Sequence, residues 1–553
     1  NVAVGGSALG NNTTASNNTA IGNNSMASNT TGDGNIAVGS NALDANTTGG
    51  ANTAIGRSAL GESTTANNNT AVGYFALLNN TTGAGNTAVG GNALDSSTTA
   101  DENTGIGYLA LEVNSTGQYN TAVGARALDA NTTASNNTAV GRLALSANTT
   151  GALNTAVGSS ALEANTTASN ATAVGYGALG SNTTGALNTA VGTAALDANT
   201  TGGNNSAVGV NALGSNTTSS NNSAFGSTAL SNNTTGSSNT AMGSLSLRDN
   251  TTGSNNTAIG ANALLVNTTG TSNTMVGLNC GLDNVSGNNN TAMGVNCFRF
   301  NTSGDQNTAM GRDCLEENTA DNNTGVGFAT LQKNTSGTQS VAVGAFALDK
   351  NTTASHHVAI GYAALTENTT GERNTALGRL ALHMNTTANN NTAIGHNCMF
   401  ANTTGFSNTA AGHEALDTNT TGDKNCAFGV FALTDNTTGS GNVAIGENSL
   451  ADNTTADDNV AIGMDAMRVN TTGENNTCVG RDAGLALEGG SNNLFLGKRA
   501  GTSTAPNGNH VNASNSIVLG DNSITQAHIK VAFTATSDER DKADITDFTK
   551  GLD

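Results

Sequence analysis

Tryptophan is absent from the 553 residues, proline occurs once, at Pro506, and aromatic side chains make up only 3 %. Compact domains filling such a length would need several cores of large side chains, so an ordinary set of globular enzyme domains is not expected. Charged residues are also scarce, at 10 %, and they are unbalanced: 39 Asp and Glu against 19 Lys and Arg, a net charge of −20. Clustered cations that could neutralise phosphates are missing, so nucleic acid is not an expected partner. No apolar run of about 18 residues is present, and no helical membrane insertion is expected. No leader is recognisable, and Asn1-Val2-Ala3-Val4-Gly5 already lies inside a repeat, as in a piece of a longer protein.

What is abundant is Gly, Asn, Thr and Ala. The 70 glycines could mark a disordered tract, but they are periodic. Gly5, Gly22, Gly39, Gly56, Gly73, Gly90, Gly107 and Gly124 follow one another at steps of 17. The step holds to Gly311, shortens once to 16 at Gly327, resumes at 17 to Gly497, and ends with an interval of 23 to Gly520. Gly39 to Ile55 is a representative unit: Gly-Ser-Asn-Ala-Leu-Asp-Ala-Asn-Thr-Thr-Gly-Gly-Ala-Asn-Thr-Ala-Ile.

Thr-Ala-Val reads as a three- or four-residue strand, and Ala-Leu as a second short strand or a tight corner. Asn-Thr-Thr-Gly and the second Asn supply turn chemistry. The unit is too short for a pair of helices, and its Asn, Gly and Thr disfavour helix altogether. The expected fold is all-β: a β-solenoid or β-roll with a 17-residue repeat. One coil buries too few apolar side chains to offset the ordering of its backbone, so stacked neighbours must contribute. Burying a further face on two more copies makes an elongated parallel homotrimer the expected assembly. Stacking aligns like Asn side chains about 4.8 Å apart, where amide ladders can form. About thirty coils at that spacing give a shaft on the order of 145 Å long.

The 16-residue unit loses its residue at Asn318-Thr319-Ala320, which reads as a tightened turn. After Gly480 the pattern weakens, and Ala505-Pro506-Asn507-Gly508-Asn509-His510 is inserted before the last glycine. The expected division is solenoid repeats at 1–500, a connector at 501–536 and a separate C-terminal segment at 537–553.

The Asn-Thr-Ala-Val-Gly units resemble the head repeats of trimeric autotransporter adhesins of the YadA type. They resemble still more closely repeats of phage and environmental tail-fibre proteins. Asn515-Ser516-Ile517-Val518-Leu519-Gly520, followed by Thr536-Ser537-Asp538-Glu539-Arg540-Asp541-Lys542-Ala543-Asp544-Ile545, resembles the opening of the endosialidase-type intramolecular chaperone. That resemblance implies a domain that trimerises the fibre and then cuts itself off. Ser537 would be the nucleophile and Lys542 its general base, with cleavage after Thr536. The 17 residues after Thr536 are far fewer than such a domain needs, so self-cleavage by this chain alone is not expected.

The remaining candidates are weaker. Cys280, Cys297, Cys314 and Cys398 replace the Ala three residues after Gly, Cys426 replaces a turn-side Thr, and Cys478 replaces the Ala before Val. No Cys-x-x-Cys exists, so zinc is not indicated, and the six read as small buried apolar residues. His396 and His413 share one column, where six imidazoles of a trimer could converge on a metal if that column faced the axis, but they read as surface residues; the pair His356-His357 lies in a turn and suggests little. Asn-Thr-Thr, as at Asn46, Asn80, Asn131 and Asn165, spells a glycosylation sequon but reads as a turn ladder; Ser63 and Ser97 take the Asn place in two units. Tyr74, Phe75, Tyr108, Tyr176, Phe346 and Tyr362 fall one or two residues after Gly, where they either stack on sugars or cover gaps in the shaft.

The expected function is that of an extracellular host-recognition or adhesion fibre, on a virion tail or a cell surface. It would be partnered by two further copies and by a host glycan or protein receptor, with no cofactor or metal. The alternatives are a bacterial trimeric autotransporter adhesin head and an ice-binding solenoid.

Overall fold

Thr, Ala and an aliphatic residue in succession favour extended backbone, and the Asn and Gly on either side stop it after three residues. The computed structural model describes residues 1–505, 508–526 and 528, and among these there are strands and turns but no helix. The chain divides into two compact units, Asn1–Ser407 and Asn408–Asp553. The first holds strands β1 (Val2–Val4) to β24 (Thr392–Ile394), the second β25 (Thr409–Ala411) to β31 (Ile517–Leu519). Within each unit, consecutive strands pair parallel and in register. Thr155, Ala156 and Val157 of β10 face Thr172, Ala173 and Val174 of β11, for example. Each unit is therefore a parallel β-solenoid.

Pairing is not confined to the strands. In the coil that starts at Gly141, Leu145, Ala147, Thr149 and Thr155 donate backbone N–H groups to the next coil, at 2.8–3.0 Å. Gly158, Ser160 and Asn170 of that next coil donate back, to Val140, Arg142 and Ala152 at 2.7, 2.9 and 3.1 Å. Backbone bonds thus encircle the coil, and the solenoid is a ladder all the way round.

The Ala-Leu piece is a corner. Its Leu is left-handed in coil after coil, with φ of +55° at Leu145 and +53° at Leu162 and Leu179. That conformation costs an L-residue roughly 1 kcal/mol or more and is worst for β-branched side chains. From Gly5 to Gly497 the position holds only Leu, Met, Phe or Gly, never Val, Ile or Thr. The periodic glycine has a second constraint: Gly141 sits at φ +139°, and an added Cβ would collide with the carbonyl of Gly158 on the next coil.

The interior is filled by the mid-strand Ala and the corner Ala and Leu, as with the fully buried Ala156, Ala161 and Leu162. Sizes compensate locally. Where the corner Leu becomes Gly281, Met275 stands mid-strand, and a Cβ on Gly281 would lie 3.0 Å from its side chain.

The rest of the interior is amide. Asn46 donates through Nδ2 to Asn29 Oδ1 at 2.7 Å and to the Gly49 carbonyl at 3.0 Å. In the second column, Asn35 Nδ2 reaches the same Gly49 carbonyl at 2.9 Å, and Asn35 Oδ1 accepts the Asn52 backbone N–H at 2.9 Å. Two Asn side chains from adjacent coils thus converge on one main-chain oxygen. The expected ladder exists, but only the first column bonds amide to amide along its length.

Defects in the ladder have local consequences. Ser63 and Ser97 are too short to reach, and their Oγ atoms, together with Asn80 Oδ1, are buried without a partner. Leu487 takes the Asn place after Asn470, leaving Asn470 Oδ1 unpaired in the same way. The 16-residue coil causes no break. Asn318 Nδ2 bonds Ala320 at 2.7 Å, one residue closer than usual, and Asn318 Oδ1 still receives Asn334 at 2.6 Å.

The ladder also runs past residue 500, into the stretch expected to be a connector. β30 (Leu494–Leu496) pairs in register with β31, and Asn493 Oδ1 accepts the Ser516 N–H at 3.0 Å. Across the longer glycine interval the strand and the Asn contact stay in phase.

Restoring a rung should stabilise the first unit. Ser97→Asn supplies an acceptor for Asn114 and a donor for Asn80, an expected gain of about 1 kcal/mol. Asn148→Ala removes bonds to Asn131 and Gly151 and strands Asn165, an expected loss of about 2 kcal/mol. Hydrogen exchange of the amides in the flanking coils measures both.

Candidate functional site

Along each strand the middle residue points inward and the other two outward. The third residue is aliphatic in nearly every coil and stays partly open to solvent. Val140, Val157 and Val174 are 36–37 % exposed, and Ile21, Ile106, Ile259 and Ile394 are likewise exposed. Half-exposed Thr side chains run beside them, two residues earlier. Each unit therefore carries a row of aliphatic groups at strand spacing, bordered by a row of Thr. Monomeric proteins rarely expose contiguous apolar surface of this extent.

The Thr pair of the turn is used differently. Thr149 Oγ1 donates to the Thr166 carbonyl at 3.0 Å, and the same bond recurs from coil to coil. Its hydroxyl is committed to the ladder, leaving only the following Thr exposed. The sequon asparagines Asn46, Asn80, Asn131 and Asn165 are fully buried, and each Nδ2 is hydrogen bonded. The atom that would carry a glycan is enclosed in the folded coil.

The candidate aromatics are not brought into one site. Tyr74 and Phe75 lie 3.9 Å apart between ring centroids, and the Arg57 guanidinium stands 5.6 and 5.8 Å from them. Tyr108 is exposed by itself. Tyr176 is 66 % exposed beside an open depression of about 300 Å³ that Glu163 and Asp197 also line. Tyr362 belongs to a longer row with Phe346, at 6.0 Å edge to face, and Phe328, 5.2 Å beyond that. The sequence reading missed Phe328, although it occupies the same place after Gly327. Thr536, Ser537 and Lys542 lie outside the described residues.

None of the six cysteines is in a disulfide, and all but the half-buried Cys426 are buried. Hydrogen bonding to Cys297 and burial push the Cys280 thiol far up, and burial does the same at Cys478. Cys280 and Cys478 are neutral thiols filling alanine places.

His357, of which its turn position suggested little, is buried. It stands in the second Asn column and is 1 % exposed. Its Nδ1 accepts the Asn374 backbone N–H at 3.3 Å, and the His357 backbone N–H donates to Ser340 Oγ at 3.3 Å. Imidazole here replaces a carboxamide, which no local signal distinguishes from a turn histidine. Burial, reinforced by His356, lowers its pKa from 6.5 to about 4. Carboxyls shift the other way: burial raises Asp95, Asp129 and Asp349, and takes Asp417 to about 6.

No family model matches the chain, and neither does any curated protein or solved structure.

A buried base with a depressed pKa takes up its proton more readily when unfolded. The stability that His357 contributes is complete above pH 6.5 and is lost as the pH falls toward about 4. The raised carboxyls oppose this trend, so the effect is read as a difference between proteins. His357→Asn should match the parent at pH 7.5 and exceed it by about 3 kcal/mol at pH 4. Hydrogen exchange in the coils that contain Ser340, His357 and Asn374 reports the gap.

Proposed function

We propose that this chain is the shaft of a homotrimeric host-recognition fibre of the phage tail-fibre kind, working outside the cell. The observation that carries the reading is the row of exposed aliphatic side chains, one per coil, on a regular parallel sheet. A lone solenoid leaves that row in water over its whole length, whereas further copies laid alongside remove it. The repeat resemblance and the acidic, aromatic-poor composition agree with a structural rather than a catalytic task. The Ser537 motif adds maturation to the proposal, with cleavage between Thr536 and Ser537 once a full chaperone domain has aligned the chains. A host glycan or protein receptor is the partner such a fibre would carry to.

A second reading rests on the same face. Thr155 and Val157, then Thr172 and Val174, repeat as a Thr-x-Val array at strand spacing, the kind of surface that could order water as ice. It requires the face to remain free, whereas the fibre requires it to be covered.

Light scattering separates the two. The expected mass is near three chains, and Val157→Lys with Val174→Lys should shift it toward one while the β-sheet circular dichroism persists. Cys426 begins β26 (Cys426–Phe428) beside this row, so maleimide should label it slowly in the assembly and faster in the dissociated protein. A folded wild-type monomer would overturn the fibre reading and favour the ice-binding one.

A further inference from the structure

Five consecutive coils of the first unit carry a row of cationic and aromatic side chains next to their glycines: Arg312, Phe328, Phe346, Tyr362 and Arg379. The rings follow the solenoid axis, edge to face, with centroids 5.2 and 6.0 Å apart. A guanidinium closes each end, Arg312 at 5.9 Å from the Phe328 ring and Arg379 at 5.9 Å from the Tyr362 ring. Both arginines are held from the side. Arg312 Nε lies 3.1 Å from Asp313 Oδ2, and Arg379 Nη1 lies 2.9 Å from His396 Nε2. Phe328 and Tyr362 remain 41 and 51 % exposed. In a chain with 3 % aromatic residues, three on successive coils with arginine at both ends is a marked concentration.

We propose that this row is a docking strip for a linear acidic polysaccharide whose sugar rings carry carboxylates. Phe328 and Tyr362, the two exposed rings, offer apolar surface to the C–H face of a pyranose without a groove, with Phe346 standing perpendicular between them. One ring per coil, with centroids 5.2 and 6.0 Å apart, is close to the advance of one sugar in an extended chain. Guanidinium forks at the two ends pair with carboxylates, and Arg does this better than Lys because its planar fork matches the two oxygens. The chain as a whole carries a net charge of −20, so a place with two arginines is where such a polymer can approach. The inference rests on the reading of the chain as a surface fibre.

The experiment uses the full chain. Affinity electrophoresis is run in gels containing polygalacturonate or neutral dextran, with light scattering on the same samples. Polygalacturonate should retard the protein and dextran should not. Phe328→Ala with Tyr362→Ala should weaken the retardation by about tenfold, as should Arg312→Gln with Arg379→Gln. All variants should keep the parent mass. Equal retardation by dextran overturns the acidic specificity. Absence of retardation in a protein of trimer mass overturns the strip and leaves the fibre reading intact. A changed mass in the ring variant assigns the row to contact between copies and overturns the proposal as well.

Discussion

The carbonyl oxygen that follows Asn-Thr-Thr is where each coil is tied, because two asparagine amides from successive coils meet on it. At Gly49 these are Asn46 from the same coil and Asn35 from the one before. A 17-residue coil with small side chains cannot hold a turn by apolar packing, and buried main-chain groups need partners that water cannot reach. Carboxamides answer both needs, since each offers two donors and an acceptor on a short arm. The left-handed corner, the strand length and the columns of small residues all follow from keeping those amides in phase. The Ser63 and Ser97 coils show what lapses look like: the fold continues, and orphaned oxygens remain inside.

Period, strand and ladder were legible because the chain repeats itself, and every coil votes on what each place requires. Thr-Ala-Val announced a strand, and the recurrent Asn announced stacked amides. The corner was ambiguous because Leu is a common residue in every kind of element. Only its φ explains why Val and Ile never replace it. His357 suggested little from its neighbours because burial in a column depends on phase: it stands thirteen residues after Gly344, the place that Asn52 takes after Gly39. The coil beyond residue 500 was hidden by an insertion, which lengthened the glycine interval while leaving Asn493 and the strand after it in step.

Of the candidate site, the aromatics were visible as residues but not as a group. Whether Tyr362 stands with Phe346 and Phe328 or with Tyr74 is a matter of which coils are adjacent, and that requires counting in units rather than in residues. The outward aliphatic row was also present in the sequence, as the last residue before each glycine. It carries no information until the middle Ala is known to point inward. A solenoid thus separates its tasks by column: amides and small residues keep the coil, and the outward places are free to vary.

The same separation bears on mechanics. A pull along the solenoid axis loads every bond across one gap between coils at once, and each gap in series carries the full force. Such a stack is as strong as its weakest gap, whatever its length. In the first unit the gaps flanking Ser63 and Ser97 keep the second Asn column but lack the amide-to-amide rung of the first, so failure under tension concentrates there while neighbouring coils stay wound. A solenoid built this way extends under load by parting at defined places.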